Sequence, residues 1–282
     1  MSCDAVQLPR LGRLRLHEHG FVPTDAKVLS ATVSECAGRW FVSVQVEEEQ
    51  EKRAPTATSA IGVDLGIKVL ATLSDGTIFE NPRALKHALK KLKRLERQKS
   101  RRKKGSKNRA HTRQTIARLH AHIANIRKDT AHKLTTYLCK NHALVAIEDL
   151  HVAGMLKNHC LAQAVSDSNF GEIRRQLEYK SAYYGAHLVL VDRFYPSSKT
   201  CSSCGYIKPE LSLSERTYVC KDCGMVLDRD LNAAINVRMV AVSSIDTQNA
   251  YGARSAGWFN GTSETACVEV GTNQHLGTVL NV

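Results

Sequence analysis

The chain has no long apolar run, although 43% of its 282 residues are hydrophobic. None of its segments approaches the roughly 18 consecutive apolar residues of a membrane-spanning helix. Residues 1–20 also lack the apolar core of a signal peptide, so we expect no secretory leader and no membrane partner. The sequence contains no internal repeat. Its apolar content is ordinary for a globular protein and suffices for one large domain or two small ones.

Cysteine is not distributed as in a disulfide framework. The nine cysteines are an odd number, and five of them are scattered along the chain: Cys3, Cys36, Cys139, Cys160 and Cys267. The other four form two close pairs. This usage favours a metal site in a reducing, cytoplasmic compartment over a set of disulfides.

The paired cysteines lie in "CSSCGYIKPELSLSERTYVCKDCG" and are Cys201, Cys204, Cys220 and Cys223. Four soft thiolates at two tight turns suit a closed tetrahedral Zn²⁺ site. Gly205 and Gly224, each directly after a pair, fit turns whose backbone N–H groups face the sulfur atoms. We predict one structural Zn²⁺ ion that stabilises a small lobe over residues 197–227. The alternative is a set of four unrelated buried cysteines.

Acidic residues are almost missing from residues 86–133. This stretch has 18 Lys and Arg residues against two acids, so it carries a charge of +16, whereas the whole chain carries +13. A basic segment of this size favours a polyanionic partner, nucleic acid above all. The alternative is a solvated and partly disordered face.

Apolar residues recur within this basic segment every three or four positions, as on one face of a helix. They are Leu85, Leu89, Leu92, Leu95, Ile116, Leu119, Ile123 and Ile126. The polar link "KSRRKKGSKNR" separates the two groups, so we predict an antiparallel helix pair over residues 85–135 with basic outer faces that follow phosphates along a duplex. The predicted nucleic-acid contacts are Lys90, Lys93, Arg94, Arg97, Arg101, Arg102, Lys103, Lys104, Lys107, Arg109, Arg113 and Lys199.

The rest of the chain has the pattern of a mixed α/β domain. Residues 9–50 alternate like strands, and a polar linker with Pro55 follows them. Further strands are predicted at residues 61–64, 69–74 and 77–80 and within "HALVAIEDL" and "AHLVLVDRF". Helices are predicted in "NFGEIRRQLEYKSAYYG" and "DRDLNAAINVRMVAV". From Ser243 the composition predicts a disordered tail.

A carboxylate interrupts the apolar strand in "IGVDLGIKVLATLSDG". A buried acid such as Asp64 is costly unless it is paired or binds a metal. Glu148 ends the strand "LVAIE", and Asp228 and Asp230 lie together at the start of the last predicted helix. Each acid has an ordinary alternative role: Asp64 as a turn residue, Glu148 as a cap for the next segment, and one of the two aspartates as a helix N-cap.

Together these acids predict a site for divalent cations, because each comes from a different element and lies at a strand end or a helix start. Mg²⁺ prefers oxygen ligands. Two such ions can activate a water molecule and stabilise the leaving oxygen in phosphodiester hydrolysis. We therefore predict two Mg²⁺ ions held by Asp64, Glu148 and one member of the aspartate pair.

The order of four motifs resembles that of the TnpB family, the RNA-guided nucleases encoded by insertion sequences and related to type V CRISPR effectors. The motifs are "IGVDLGIKVLATLSDG", "LVAIEDL", "YPSSKTCSSCG…YVCKDCG" and "DRDLNAAINV". The resemblance covers roughly residues 5–240. It implies an RNA-guided DNA endonuclease with catalytic Asp64, Glu148 and Asp230, the last because it opens the D-x-N motif. Guide RNA and target DNA are the implied partners, in a bacterial or archaeal cytoplasm at the nucleoid.

The same resemblance implies an α/β fold of RNase H-like (RuvC-like) type, with a mixed sheet, an inserted basic helical hairpin and an inserted zinc ribbon. The expected organisation is a β-barrel remnant over 1–55, a nuclease domain over 60–196 with the helix pair at 85–135, the ribbon at 197–227, a last nuclease segment at 228–242 and a tail at 243–282.

The family usually has a longer N-terminal region with a helical recognition lobe, so we expect this chain to be an N-terminally truncated copy. Two other readings stay open. A zinc-ribbon protein could hold nucleic acid without cutting it, which the intact acids argue against. "IGVDLG" also resembles the first phosphate-binding strands of sugar-kinase-like and actin-like ATPases, but the sequence has no second Gly-rich nucleotide loop.

Overall fold

The structure is a computed structural model that describes residues 5–17, 27–47, 59–212, 214–250 and 278–280. It forms a mixed α/β fold whose described residues fall into two compact units. The first, called the hairpin unit, takes its residues from Met1–Glu51, Ala84–Asp129 and Phe259–Val282. The second, called the sheet unit, takes its residues from Lys52–Arg83 and Thr130–Trp258.

The hairpin unit contains two antiparallel strand pairs. They are β1 (Ala5–Leu8) with β2 (Gly12–Arg15), and β3 (Lys27–Cys36) with β4 (Arg39–Glu47). Val6, Leu8 and Val42 are buried and form a small apolar core between these strands. The turn between β3 and β4 has positive φ at Ala37 and Gly38.

The basic segment forms the two helices that its periodicity predicts: α1 (Ala84–Arg101) and α2 (Lys107–Asn141). Their apolar stripes include the buried side chains of Leu95, Ile116 and Ile123. At the connection, the Arg102 guanidinium donates to the Asn108 carbonyl over 2.5 Å and to the Thr112 hydroxyl. These bonds close the tip of the hairpin.

The sheet unit is built on a mixed five-stranded sheet in the order β7-β6-β5-β8-β9. Its strands are β5 (Ala60–Leu65), β6 (Val69–Leu73), β7 (Ile78–Glu80), β8 (Leu144–Glu148) and β9 (His187–Val191). The meander β5-β6-β7 is antiparallel, whereas β5, β8 and β9 run parallel. Parallel neighbours bring their carboxyl ends to one edge of the sheet.

The remaining elements of the sheet unit are α3 (Val152–Lys157), α4 (Ala162–Ser168), α5 (Phe170–Tyr184), β10 (Thr217–Val219), β11 (Val226–Asp228) and α6 (Arg229–Ala250). Successive residues of β8 point to opposite faces of the sheet. Val145 lies in the core cluster formed with α5 and the last turns of α2, whereas Ala146 lies in the cluster formed with Val237 and Ala241 of α6. Helices therefore cover both faces of β8.

Helix α6 lies directly on β5 at Gly62. A Cβ atom at this position would come within 2.1 Å of the Ala234 carbonyl oxygen and 2.6 Å of the Arg238 nitrogen, both in the backbone of α6. Only a residue without a side chain permits this approach. Gly62 stands two positions before Asp64, so the same contact brings the first turn of α6 towards the carboxyl end of β5.

Gly62→Ala is therefore expected to destabilise the protein by about 2–3 kcal/mol, because backbone atoms cannot move aside as a flexible side chain does. Thermal unfolding should begin at a temperature lower by about 4–12 °C. The matched control is Gly171→Ala in α5, where an added Cβ meets no atom within 4 Å. Equal melting temperatures for the two variants would contradict this account of the packing.

Several expectations differ from the observed elements. The prediction that the last helix ends before Ser243 is wrong, because α6 continues to Ala250. Thr278–Leu280 forms a further strand, β12, that pairs with β4. Residues 251–277 and the linker around Pro55 lie outside the described residues. No helix in the described ranges combines the length and apolar character needed to cross a membrane.

Candidate functional site

Two of the predicted acids stand side by side at the carboxyl edge of the sheet. In the parallel pair of β5 and β8, Val63 lies opposite Ile147. Asp64 and Glu148 are the next residues of these two strands. Because paired positions of neighbouring parallel strands share a face, both carboxylates point to the same side of the sheet.

The third acid comes from the first turn of α6. The Asp228 carboxylate accepts the backbone N–H groups of Asp230 and Leu231 at 2.9 and 3.1 Å, so Asp228 is the N-cap of the helix. Of the two aspartates that the sequence offered as the N-cap, Asp228 therefore caps the helix.

The three acids influence one another electrostatically. Burial, followed by the negative charges of Glu148 and Asp230, raises the pKa of Asp64 to about 8. The positive charge of Arg229 opposes this shift. An ordinary aspartate titrates near pH 4, and a cation bound at this site would oppose the shift by compensating the negative charges.

Glu148 and Asp230 also have partners of their own. The Ser197 hydroxyl donates to the Glu148 carboxylate. Arg229 donates to Asp230 over 3.0 and 3.1 Å, and Arg216 lies 3.8 Å from its other oxygen. These contacts turn the Asp230 carboxylate towards the two arginines.

The structure brings the acids to one edge but does not gather them into a compact ligand cluster. Among the described residues, the one group of three or more His, Cys, Asp or Glu side chains whose ligand atoms all lie within 4.8 Å is the cysteine set. Asp230 is paired with Arg229 and Arg216. These contacts compete with the ligand bonds that its carboxylate would form in such a cluster.

Asp149, next to Glu148, has a different role. Its carboxylate forms ion pairs with Arg193 and Arg174. The hydrogen bond from Arg193, together with the contact from Arg174, holds the pKa of this carboxyl below its usual range. Asp149 is therefore a permanent anion that positions two arginines beside the site.

Residues 197–227 are called the cysteine lobe. Its four cysteines come together. The Sγ atoms of Cys201 and Cys223 are 3.7 Å apart, and those of Cys204 and Cys220 are 3.6 Å apart. Zn–S bonds of about 2.3 Å in a tetrahedron require S–S distances of about 3.8 Å. The thiol set therefore fits a tetrahedral metal ion.

The surroundings of the thiols also suit a metal. The backbone N–H of Cys223 lowers the pKa of Cys220 to about 7. Against the opposing backbone N–H of Tyr206, burial and the neighbouring thiols raise the pKa of Cys204 to about 12. Without a metal, Cys220 therefore ionises more readily than Cys204, and thiolates are the form that binds metal. Gly205 and Gly224 have φ angles of 79° and 73°, the left-handed turns expected after each pair. Besides Cys201 and Cys220, Tyr218 is the one buried member of the lobe's core cluster. A metal ion bound by the four thiols would stabilise so small a core.

Sequence reasoning missed two asparagines of α6. The Asn232 amide donates to the Thr200 carbonyl over 2.7 Å and accepts the Ser202 N–H over 3.0 Å. The Asn236 amide donates to the carbonyls of Ser197 and Thr200. Both side chains are buried, and their i, i+4 spacing on an apolar helix was the available signal. They join the cysteine lobe to the helix that carries Asp230.

The predicted nucleic-acid contacts fall into two groups. The exposed ones are Lys90, Lys93, Arg94, Arg97, Arg101, Lys103, Lys104, Lys107 and Arg113. Arg102 and Arg109 are half-buried and donate to backbone carbonyls at the hairpin tip. Lys199 is half-buried and donates to the Pro209 carbonyl over 3.1 Å.

Comparison with known proteins gives two family matches, which together include the three acids and the four cysteines. The family model described as "Probable transposase" matches residues 43–159, and the model of the Cas12f1-like TNB domain matches residues 170–237. A Streptomyces pristinaespiralis protein named as an RNA-guided DNA endonuclease is 46% identical over 217 residues, which are 77% of this chain and 54% of that protein. The chain belongs to the TnpB family.

Further comparisons bear on how much of a TnpB protein is present. The Escherichia coli K12 protein InsQ, also named as an RNA-guided DNA endonuclease, is 38% identical over 245 residues, which are 82% of this TnpB chain and 60% of InsQ. The chain spans between about half and three fifths of the length of these two curated relatives. A cryo-EM structure of the Cas12f1–sgRNA–target DNA complex aligns with a TM-score of 0.47 at 17% identity, over 73% of this chain and 55% of that one.

Proposed function

We propose that this TnpB chain is an RNA-guided DNA endonuclease of RuvC-like, RNase H-like fold. The observation that carries the proposal is the register of β5 and β8, which sets Asp64 beside Glu148 at the carboxyl edge of the sheet. The raised pKa of Asp64, caused by burial and by the charges of Glu148 and Asp230, supports it. Perturbed carboxylates of this kind cluster where a cation or a proton transfer is needed. The names of the relatives supply the RNA guide and the DNA substrate.

Asp64, Glu148 and Asp230 fit a divalent cation by the chemistry of their donor set, since hard ions take carboxylate oxygens. We propose Mg²⁺, as two ions. When bound, these ions would activate water and stabilise the leaving oxygen of a phosphodiester. The chain's own residues position these carboxylates. The Ser197 hydroxyl orients Glu148, and Arg229 holds Asp230. Asp230 would leave Arg229 when it binds an ion.

The cysteine lobe is proposed to be a zinc ribbon with a structural role. A closed set of four thiolates leaves no position for a substrate. Its ion would keep residues 197–202 in place, and with them Ser197, which contacts Glu148.

The exposed cations of α1 and α2 are proposed to hold the backbone of the guide RNA–target DNA duplex. The charge of +16 over residues 86–133 supports this role, and phosphate contacts position a duplex without reading its sequence. Arg102 and Arg109 are proposed to stiffen the hairpin tip, because both donate to its backbone. This role would place the protein at the nucleoid.

The proposal is tested with the full chain purified from cells that carry its surrounding locus. The bound RNA is sequenced, and a plasmid complementary to that RNA is incubated with Mg²⁺. We expect cutting that stops after RNase treatment. Asp230→Ala should abolish cutting, whereas Asp228→Ala removes only a helix cap, worth about 1 kcal/mol of stability, and should still cut.

Two outcomes would overturn parts of this proposal. Bound RNA with no Mg²⁺-dependent cutting would favour a protein that holds nucleic acid without cleaving it. Normal cutting by Asp230→Ala with none by a folded Asp228→Ala would exchange the roles of the two aspartates.

A further inference from the structure

The loop 192–197 connects two points that both lie at Glu148. It begins after Val191, which pairs with Glu148 in the β8–β9 register. It ends at Ser197, whose hydroxyl donates to the Glu148 carboxylate. Phe194 is three residues from each of these anchors, so its Cα atom lies within about 11 Å of both. The loop therefore holds Phe194 close to the carboxylate site.

The Phe194 ring faces solvent. Its exposed fraction is 85%, the highest of any large apolar side chain in the described residues. Single exposed apolar residues are common on protein surfaces. This one is held in place, because the Asp192 carboxylate accepts the Phe194 N–H over 2.7 Å and the Asp192 carbonyl accepts the Tyr195 N–H over 3.0 Å. A fixed backbone thus presents the ring outward.

Charged residues of both signs lie next to the ring: Asp192, which accepts the Phe194 N–H, and the cation Arg193. Arg193 is exposed and is held by Asp149, which also holds Arg174. A cation beside an exposed aromatic ring is the combination by which proteins bind single-stranded nucleic acid, with the cation at the phosphate and the ring against a base. A base inside a duplex has no free face, so the pair favours an unpaired strand.

We propose that Phe194 stacks on a nucleobase of the single DNA strand whose phosphodiester lies at Asp64 and Glu148, with Arg193 at a neighbouring phosphate. This inference rests on the proposed nuclease function and names the form of the substrate at its site. The ring fixes the position of the strand relative to the carboxylates and reads no sequence, since every base offers a π face.

The test measures binding by the full chain in the absence of Mg²⁺, so it does not depend on cleavage. Fluorescently labelled 12-nucleotide single strands are either intact or abasic at every position, so that a shift of register cannot restore the stacked base. The abasic strand should bind the wild type at least about 5- to 150-fold more weakly, the range expected for one stacked base. Phe194→Ala should weaken binding to the intact strand by a similar factor and reduce the difference between the two strands by that factor.

Three further variants separate stacking from general effects. Phe194→Trp should keep the affinity and show fluorescence quenched by the intact strand, whereas Phe194→Leu should bind like Phe194→Ala. Val226→Ala, at another exposed apolar residue of the sheet unit, should bind like the wild type. The salt dependence of binding should be the same for wild type and Phe194→Ala, because no phosphate contact is removed.

Equal binding of single strands by the wild type and Phe194→Ala would overturn the inference even if the protein cuts DNA. A loss that is equally large for a 12-base-pair duplex would also overturn it, since the ring would then contact something other than an unpaired base. Failure of the stacking test would not change the effect expected of the carboxylate variants on DNA cutting. The two proposals can therefore fail independently.

Discussion

Asp64→Asn is expected to abolish metal-dependent cleavage and, at the same time, to make the chain without Mg²⁺ more stable at neutral pH. In the proposed site the carboxylate is a metal ligand. In the absence of the metal, however, burial and the charges of Glu148 and Asp230 oppose its ionisation and raise its pKa to about 8. Asparagine has nearly the same shape and cannot ionise.

The sign of the pH dependence follows from the raised pKa. The folded state binds the Asp64 proton more tightly than the unfolded state, so this stabilising effect is complete below about pH 4 and is lost as the pH rises towards 8. Denaturant unfolding of zinc-loaded protein without Mg²⁺ should show this decline in the wild type and not in Asp64→Asn. At pH 8 the variant should be more stable by up to about 5 kcal/mol.

Asp149→Asn is the matched control and should behave in the opposite way. Its arginine partners lower its pKa, so the carboxylate stabilises the fold at neutral pH and loses that effect only in acid. The variant should therefore be less stable than the wild type at pH 7. A stability of Asp64→Asn that follows the wild-type pH profile would contradict the electrostatic account of the site.

Loss of zinc is expected to have the largest structural effect. Metal analysis should find about one Zn²⁺ ion per chain, and Cys204→Ser should lose it. The binding free energy of structural zinc in small domains is about 10–16 kcal/mol and stabilises the fold directly. Limited proteolysis should then cut within residues 197–227. Cleavage of DNA should also fall, because Ser197 and the contacts of Asn232 and Asn236 lie in or against this lobe.

Cys160→Ser provides the control for this experiment, since Cys160 is an exposed thiol outside the metal-binding group. It should keep its zinc and its resistance to protease. If chelated protein contains no zinc and still resists protease as well as untreated protein, the metal does not stabilise residues 197–227.

Local patterns predicted those parts of the protein that local physics determines. The strand with Asp64, the strand ending in Glu148 and the helix α5 all agree with the structure. The left-handed turns at Gly205 and Gly224, each directly after a cysteine pair, agree as well. In each case the residues that decide the structure are neighbours in the sequence.

Features that depend on distant residues were not predictable. Periodicity suggested that Arg102 and Arg109 face nucleic acid, whereas tertiary contacts direct them to the tip backbone. The partners of Asp230 include Arg216 from another element, so the orientation of that carboxylate is a property of the fold. The short helices α3 and α4 have too few turns for a clear apolar period.

The parallel pairing of β5 and β8 has a consequence for folding and for evolution. These strands are neighbours in the sheet, yet the whole basic hairpin lies between them in the chain. The entropy of closing such a connection grows only with the logarithm of its length, by about 0.6 kcal/mol per doubling. The helix pair of α1 and α2 can therefore lengthen or shorten during evolution at little thermodynamic cost. The spacing of Asp64 and Glu148 stays fixed, because they lie on two adjacent strands.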